Sequence, residues 1–385
     1  MARVGIFSDS HMQHDVTAPR FEDSRHTLGR IVRGMIEAKV ELALFGGDAF
    51  QNHHPPQAVV HIFGEELRPL LDRGINVVAV VGNHDLAKSD DGRNALSCLH
   101  WKHGFYLASK PHVVGFSGLQ LVLLPYPNRN ILMTRSEYAN LTASELNEQA
   151  GRIVADILRE LAEEIDPKTP SILLAHVSPA QASAGSENTY MFGRDICLSV
   201  ADIPENINYA FFGHIHKPQM IDRLPGDAFT GQYAYVIGST DQCNFGEEGE
   251  DKRWLLLDTD EGTVTSMSTG CKRHRTLHFD ITETGHITTF AGLPVEPFVR
   301  AKVKLNRGQV VPADLKEKLL KWGAEEVQID CEYTDESRLT SGGSGAVGES
   351  NEDVLRAYCE QRNIAESRRE PLVKAGLDEL RRIGE

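Results

Sequence analysis

Short apolar runs alternate with longer amphipathic ones through the first 270 or so residues. Val4-Gly5-Ile6-Phe7 predicts a buried strand, and the segment after it places Leu28, Ile31, Val32, Met35 and Ile36 on one helical face. Leu42 to Phe45 predicts a second strand, residues 57–73 a helix, and Ile75 to Val81 a third strand, strongly β-branched. Leu119 to Leu124 predicts a fourth strand, closed by the turn at Pro125 and Pro127. A long helix is predicted over 143–165, with Leu146, Ile153, Val154, Ile157, Leu158 and Leu161 at helical spacing. Ser171 to Ala175, Tyr209 to Phe212, Ala234 to Ile237 and Trp254 to Leu257 read as further strands. Strands alternating with helices predict a layered α/β architecture over residues 1–278. No internal repeat is visible.

The texture then changes. Phe298 to Leu305 (strand), Pro312 to Trp322 (helix, with Pro312 in its first turn) and Glu326 to Tyr333 (strand) predict a small α+β unit over 279–336. Residues 337–350, SRLTSGGSGAVGES, are Gly/Ser-rich and predict a flexible linker. Helical periodicity returns over 351–385. Val354, Leu355 and Tyr358 share one face, and Leu372, Val373, Leu377, Leu380 and Ile383 another. Such a tail is either a tethered docking element or a helix that packs back on its own domain.

The polar residues fall where chemistry would want them. Strand one ends in Ser8-Asp9-Ser10-His11, strand two in Gly46-Gly47-Asp48, and strand three in Gly82-Asn83-His84-Asp85. The strand at 171 ends in His176, and that at 209 in Gly213-His214-Ile215-His216. The C-terminal strand edge of an open α/β sheet is where ligands bind. Singly, each piece has a plainer explanation: a capped turn, a Gly-Asp bend, a hydrogen-bonded structural histidine. In series, Asp9, His11, Asp48, Asn83, His176, His214 and His216 form a candidate ligand set that the plainer explanations fit poorly. Asp, His and Asn without thiolate suit a divalent ion such as Mn²⁺, Fe²⁺ or Zn²⁺. Seven ligands exceed one tetrahedral ion and fit two ions that share a carboxylate. Two cations about 4 Å apart can activate water and hold the attacking and leaving oxygens of a phosphate in line. His84 is then the candidate for protonating the leaving oxygen, with Asp85 orienting its imidazole.

Composition changes this picture little. Hydrophobic residues at 41% and charged residues at 25% describe an ordinary globular chain. The six cysteines are scattered without a C-x-x-C pair, which excludes a zinc ribbon and a disulfide scaffold. No apolar stretch approaches the ~20 residues of a membrane span, and the start lacks a signal peptide, so a cytoplasmic protein with no membrane association is expected. A net charge of −15 excludes a simple basic nucleic-acid binder but not a metalloenzyme. Lys272-Arg273-His274-Arg275 is a local basic cluster, readable as a DNA-backbone contact or as a solvated loop. The absence of G-x-x-x-x-G-K-[ST] excludes a P-loop ATPase.

The motif series over the first 240 or so residues resembles that of the calcineurin-like metallophosphoesterases. Within them, Ser8 to His11, Gly47-Asp48-Ala49-Phe50, Phe212 to Gln219, Gly238-Ser239 and Asn244-Phe245-Gly246-Glu247-Glu248 resemble the SbcD-like double-strand-break repair nucleases. The resemblance implies a layered β-sandwich core flanked by helices, a DNA-capping domain over 279–336, and C-terminal helices that bind an SMC-like, SbcC-like ATPase. It implies a homodimer within a heterotetramer, in the cytoplasm of a bacterial or phage-infected cell, near the nucleoid. By resemblance Asp9, His11, Asp48 and His216 hold one Mn²⁺, and Asp48, Asn83, His176 and His214 the other. His84, backed by Asp85, would then stabilise the transition state. Where relatives often carry His or Asp after Gly-Asp-x-Phe, this chain has Gln51, with His53 and His54 close behind. The expected activity is Mn²⁺-dependent exo- or endonucleolytic hydrolysis of DNA in repair, recombination or replication. A free-standing phosphodiesterase or phosphatase on small molecules, and a non-catalytic scaffold subunit, are the alternatives. The complete ligand set speaks against the scaffold.

Overall fold

The structure, a computed structural model, describes residues 2–86, 94–99, 103–127, 141–183, 185, 195–221, 233–281, 296–306, 309–333, 352, 355–356, 359 and 366–383. The linker expected at 337–350 lies outside the described residues, as do Val354, Tyr358 and the side chains of Leu380 and Ile383. The chain forms two compact units, Met1–His274 and Arg275–Glu385.

In the first unit the elements run β1 (Arg3–Phe7), α1 (Pro19–Glu37), β2 (Leu42–Phe45), α2 (Gln57–Leu71), β3 (Asn76–Val80), β4 (Phe105–Ala108), β5 (His112–Phe116) and β6 (Leu119–Leu124). After these come α3 (Ala143–Glu163), β7 (Ser171–His176), β8 (Ser178–Pro179), β9 (Cys197–Leu198), β10 (Tyr209–Gly213), β11 (Gln219–Ile221), β12 (Tyr233–Val236), β13 (Arg253–Asp258) and β14 (Thr263–Ser268). They build two six-stranded sheets, ordered β14-β13-β1-β2-β3-β4 and β11-β12-β10-β7-β6-β5. Strands β1 to β4 run parallel, as do β6, β7, β10 and β12; β13 and β14 continue the first sheet antiparallel beyond β1, β4 is its parallel edge, and antiparallel β11 and β5 close the second sheet.

The uninterrupted apolar runs follow from burial on both faces. Alternate side chains of the two sheets (Ile6, Leu44 and Val80 from one, Leu121, Ile172 and Phe211 from the other) meet in a shared inner layer. The remaining side chains of the first sheet, such as Phe45 and Val77, pack under the Leu28–Met35 face of α1 and under Phe63 of α2. Those of the second, such as Leu173 and Phe212, pack under Val154 and Leu158 of α3. The result is a four-layer helix–sheet–sheet–helix sandwich. Thr142 caps α3 through a reciprocal pair of bonds with Glu145, a sequence signature of a helix start.

Six of the described strands of this unit escaped the hydrophobic pattern, β4 and β11 among them, and the other four show why. β14 alternates with mostly exposed positions, β5 is half-buried with Gly115 in its middle, and β8 and β9 are two residues each. None presents the apolar run that marks a central strand.

At one rim the two sheets come together closely. The Gly46 carbonyl accepts from the His176 ring at 2.6 Å, and the His214 N–H reaches Asp9 at 3.0 Å. A Cβ on Gly213 would lie 2.5 Å from the Gly46 oxygen and collide with the Ser8 hydroxyl. Glycine is required there because no other residue lets these backbones approach.

The second unit holds β15 (His274–Asp280), β16 (Phe298–Leu305), α4 (Leu315–Lys321), β17 (Glu326–Tyr333) and α5 (Glu366–Ile383). The boundary expected at 278 falls inside β15, which joins β16 and β17 in a three-stranded sheet. β16 and β17 pair in parallel from Phe298↔Glu326 to Leu305↔Tyr333, and α4 buries Leu315 and Leu319 against them. The helix begins at Leu315, not Pro312. The Leu315 N–H donates to the Pro312 carbonyl across a turn, so the proline precedes the helix. In the tail, Leu355 lies over Gly376 of α5 and Arg356 pairs with Glu370, so two tail segments pack on each other. Val373 is buried, whereas Leu372 is 46% exposed.

Gly213→Ala should lower stability by about 1–3 kcal/mol through overpacking. A thermal unfolding midpoint unchanged from wild type would show that the rim has room for a methyl group.

Candidate metal centre

The rim is strained where it is polar. Among the described residues six non-glycines have positive φ, and four of them are predicted ligands: Asp9 (53°), His11 (39°), Asp48 (55°) and His214 (86°). Such conformations cost on the order of 1–3 kcal/mol each and persist when surrounding bonds impose them. Here the Asp9 N–H is held by the Gly47 carbonyl, the His11 N–H by the Asp48 carbonyl, and the His214 N–H by the Asp9 carboxylate.

One ligand group joins Asp9, His11 and His216, whose donor atoms converge within 4.8 Å of one another. The His11 and His216 Nε2 atoms face each other at 2.9 Å, and His11 Nε2 lies 3.7 Å from Asp48 Oδ2. A second group joins Asp48, His176 and His214. His176 Nε2 lies 3.4 Å from Asp48 Oδ2, and Asn83 Oδ1 lies 3.0 Å from that nitrogen and 2.7 Å from His214 Nδ1. All seven predicted ligands therefore gather at one rim, with Asp48 beside both groups.

Three of the four histidines have the far nitrogen tied down. His176 Nδ1 faces the Gly46 carbonyl at 2.6 Å, His214 Nε2 faces Asp195 at 2.6 Å, and His216 Nδ1 faces Glu247 at 3.1 Å. Protons held on those nitrogens of His214 and His216 leave lone pairs on the others, turned toward the Asn83 oxygen and toward His11, whereas His176 would give up its Nε2 proton to a cation. Lone pairs meeting lone pairs call for a cation, and the donor set of imidazole, carboxylate and amide oxygen suits a divalent one.

His84 sits beside the first group, its ring 4.8 Å from that of His11, and its N–H donates to Asp48 Oδ1 at 2.8 Å. The expectation that Asp85 orients this imidazole is corrected by the geometry. His84 Nδ1 instead faces the Gln51 carbonyl at 2.8 Å. The buried Asp85 carboxylate accepts the backbone N–H groups of Asp48, Ala49 and Gly82 at 2.8–3.0 Å, clamping the β2 and β3 loops together. His53 and His54 are exposed, and the His53 ring stacks near His84 at 6.3 Å. The basic cluster is spoken for in part: Lys272 pairs with Asp23 at 2.7 Å, Arg273 with Asp251 at 2.5 Å, and His274 is buried.

Sequence reasoning gave no role to Asp195, Glu247 or Lys252. Glu247 is fully buried and joins His216 to Lys252, whose ammonium lies 2.7 Å from Glu247 and 2.8 Å from Glu250. Glu247 lies within a run that resembles the repair nucleases, which is the only signal for it. Cys243 also lies within 4.8 Å of His216 and Glu247. The buried lysine on Glu247 opposes a third cation there.

Residues 2–218 match the family described as calcineurin-like phosphoesterase. The chain belongs to that family. The chain is 25% identical over 245 residues to an SbcCD nuclease subunit of Bacillus subtilis (strain 168), a match that covers 59% of this chain and 58% of the relative. It thus spans less than two thirds of that relative. It is 20% identical over 416 residues to "DNA double-strand break repair protein Mre11" of Methanopyrus kandleri, covering all of this chain and 83% of the relative. Among solved structures, one from Thermus thermophilus aligns with a TM-score of 0.41 at 11% identity, over 70% of this chain and 99% of the other. The family's fold implies divalent metal binding. No helix among the described residues of the chain is long and apolar enough to cross a membrane.

Charge at the rim is coupled. Burial and the neighbouring Asp48 raise Asp9, while burial and the facing His216 hold His11 well below its usual value. Burial opposes a charge on His176, yet Asp48 and Asp9 outweigh it and push the imidazole up to about 9. Burial and Asp48 push Asp85 up to about 7, against the N–H donors of Gly82 and Ala49. For Glu247 burial opposes ionisation, but His216 and Lys252 win and bring it down to about 2 from the usual 4.5. A carboxyl so depressed contributes stability that is complete above its unfolded value near 4.5 and lost as pH falls through about 2. In metal-free protein, Glu247→Gln should lower the melting midpoint at neutral pH by leaving Lys252 under-compensated, and flatten the acid limb below pH 4.5. Melting curves against pH in chelator check this; parallel limbs for variant and wild type would refute it.

Proposed function

We propose that this protein is a metal-dependent DNA nuclease, hydrolysing phosphodiester bonds with two divalent cations, Mn²⁺ by preference, as the catalytic subunit of a complex with an SMC-like ATPase in DNA repair. The observation that carries the reading is the pair of ligand groups, Asp9/His11/His216 and Asp48/His176/His214, meeting at Asp48 with His84 alongside. The bound ions would supply Lewis-acid stabilisation of phosphoryl charge and a more acidic water. Asp9, His11, Asp48 and His216 would hold one, and Asp48, Asn83, His176 and His214 the other.

This chain's own contribution centres on His84. With Nδ1–H held by the Gln51 carbonyl, Nε2 is the ring nitrogen left to serve a departing oxygen, to which the doubly protonated ring would deliver a proton. DNA is the favoured substrate because relatives of both kinds carry nuclease or DNA-break-repair names. A net charge of −15 gives the chain poor affinity for a polyanion by itself, so a partner that adds DNA-binding surface belongs to the reading. Residues 279–336 would cap the DNA, and residues 351–385, tethered by 337–350, would dock the ATPase, with a homodimer at the centre of the complex.

With Mn²⁺ present the protein should degrade duplex or single-stranded DNA, and His84→Ala should lose about 10²- to 10⁴-fold in rate while still binding metal. Full cleavage by a clean His84→Ala preparation would remove His84 from the chemistry. Cleavage of nucleotides and small diesters with DNA untouched would instead select the free-standing phosphodiesterase.

Deleting residues 337–385 should abolish co-purification with the ATPase and leave metal-dependent hydrolysis of a chromogenic phosphodiester intact. An unchanged pull-down after that deletion would refute the docking role.

A further inference from the structure

Asp195 lies in none of the strand-end motifs, yet it touches the centre. The two-residue ladder between β8 and β9, Ser178↔Cys197 and Pro179↔Leu198, brings Asp195 against the segment that follows His176. The Ala180 N–H donates to the Leu198 carbonyl at 2.9 Å, and the Cys197 carbonyl lies so close to α3 that a Cβ on Gly151 would sit 2.5 Å from it. So anchored, the Asp195 carboxylate is nearly buried, with 9% of its side chain exposed. Oδ1 accepts the Ile196 N–H at 3.0 Å; Oδ2 accepts the Ser178 hydroxyl and faces His214 Nε2 at 2.6 Å.

His214 stands between two acceptors, Asp195 at Nε2 and the Asn83 amide oxygen at Nδ1, 2.7 Å away. A neutral imidazole has one proton to give. Given to Asn83, it blocks the nitrogen that faces Asn83. Given to Asp195, it leaves that nitrogen with its lone pair. A hydrogen bond to a carboxylate is about twice as strong as one to a neutral amide, so Asp195 takes the proton. Tyr126, whose ring centroid lies 5.5 Å from that of His214, and His176 at 5.2 Å limit rotation of the ring.

We propose that Asp195 is a positioning residue that fixes the tautomer and rotation of His214 and thereby sets the affinity of the cation held by Asp48, Asn83, His176 and His214. The inference rests on the two-cation reading above and adds to it a determinant that lies outside the ligand set. Glu247 behind His216 has the same relation to the other cation, so both histidines of Gly213-His214-Ile215-His216 have a carboxylate behind them.

The test is calorimetric titration of the metal-free full-length protein with Mn²⁺, with melting midpoints recorded for each apo variant. Wild type should take up two ions. Asp195→Ala should weaken one of them about 10- to 100-fold and leave the other unchanged. Asp195→Asn, which keeps an oxygen for Nε2–H, should bind that ion at least about tenfold more tightly than Asp195→Leu, which has a similar size and no acceptor. The Asn and Leu pair decides the matter if the alanine variant does not fold. Equal affinities for Asn and Leu, or wild-type affinities in Asp195→Ala, would overturn the inference and leave the two-cation reading standing. Wild-type protein that binds no Mn²⁺ would overturn both.

Discussion

Two carboxylates buried in one rim repel each other, and the rest of the site is arranged around that cost. Asp9 and Asp48 are 0% and 2% exposed, and burial with mutual repulsion raises Asp9. The protein's own relief is partial: His176, 3.4 Å from Asp48, is drawn toward the charged form, and backbone N–H groups reach both acids. The same rim strains the chain, since Asp9, Asp48 and His214 sit in left-handed backbone conformations. A protein that only needed stability would replace such a pair with apolar residues, which is often neutral or favourable. Keeping both acids buried makes physical sense if cations supply the missing positive charge.

The layered sandwich was legible because its strands are buried on both faces and so read as plain apolar runs, Leu42 to Phe45 and Tyr209 to Phe212 among them. The helices were legible by their stripes, and α3 also carries the capping pair Thr142 and Glu145. Half-exposed edges were not. β14 and β5 present no hydrophobic contrast with the loops around them, because one face meets solvent. Pro312 misled for a different reason: proline suits a turn before a helix as readily as its first residue.

The convergence of the seven candidate ligands was legible because each sits at the end of a recognisable strand, so order along the chain mirrors position along the rim. What the sequence hid is the layer behind it. Asp195 is 19 residues from His214 in the chain and reaches it only through the β8–β9 ladder. Asp85 adjoins His84 in sequence, and adjacency suggested partnership. Yet neighbouring side chains in a tight turn diverge, and the Asp85 carboxylate turned to the backbone of the β2 loop. Spacing along a chain predicts which residues share an edge; it says little about which oxygen meets which nitrogen.

That hidden layer also ties the centre to the outer helix. Glu247, behind His216, belongs to a loop that α1 grips from several directions. Arg20 donates to the Gln242 and Cys243 carbonyls at 2.7 and 3.0 Å, and the Thr27 hydroxyl donates to the partly buried Asp241 at 2.7 Å. Arg30 bonds the Thr27 hydroxyl and the Thr269 carbonyl, and Lys252 reaches from Glu247 and Glu250 to the His216 carbonyl. Each of these polar groups is spent on backbone or on another buried group, not on solvent. A loop held this way does not adjust when a ligand arrives, so His216 is preorganised rather than recruited. Preorganisation of this kind is what a centre needs when its ligands stand in strained conformations, because the strain is sustained by the folded scaffold and not by the ion.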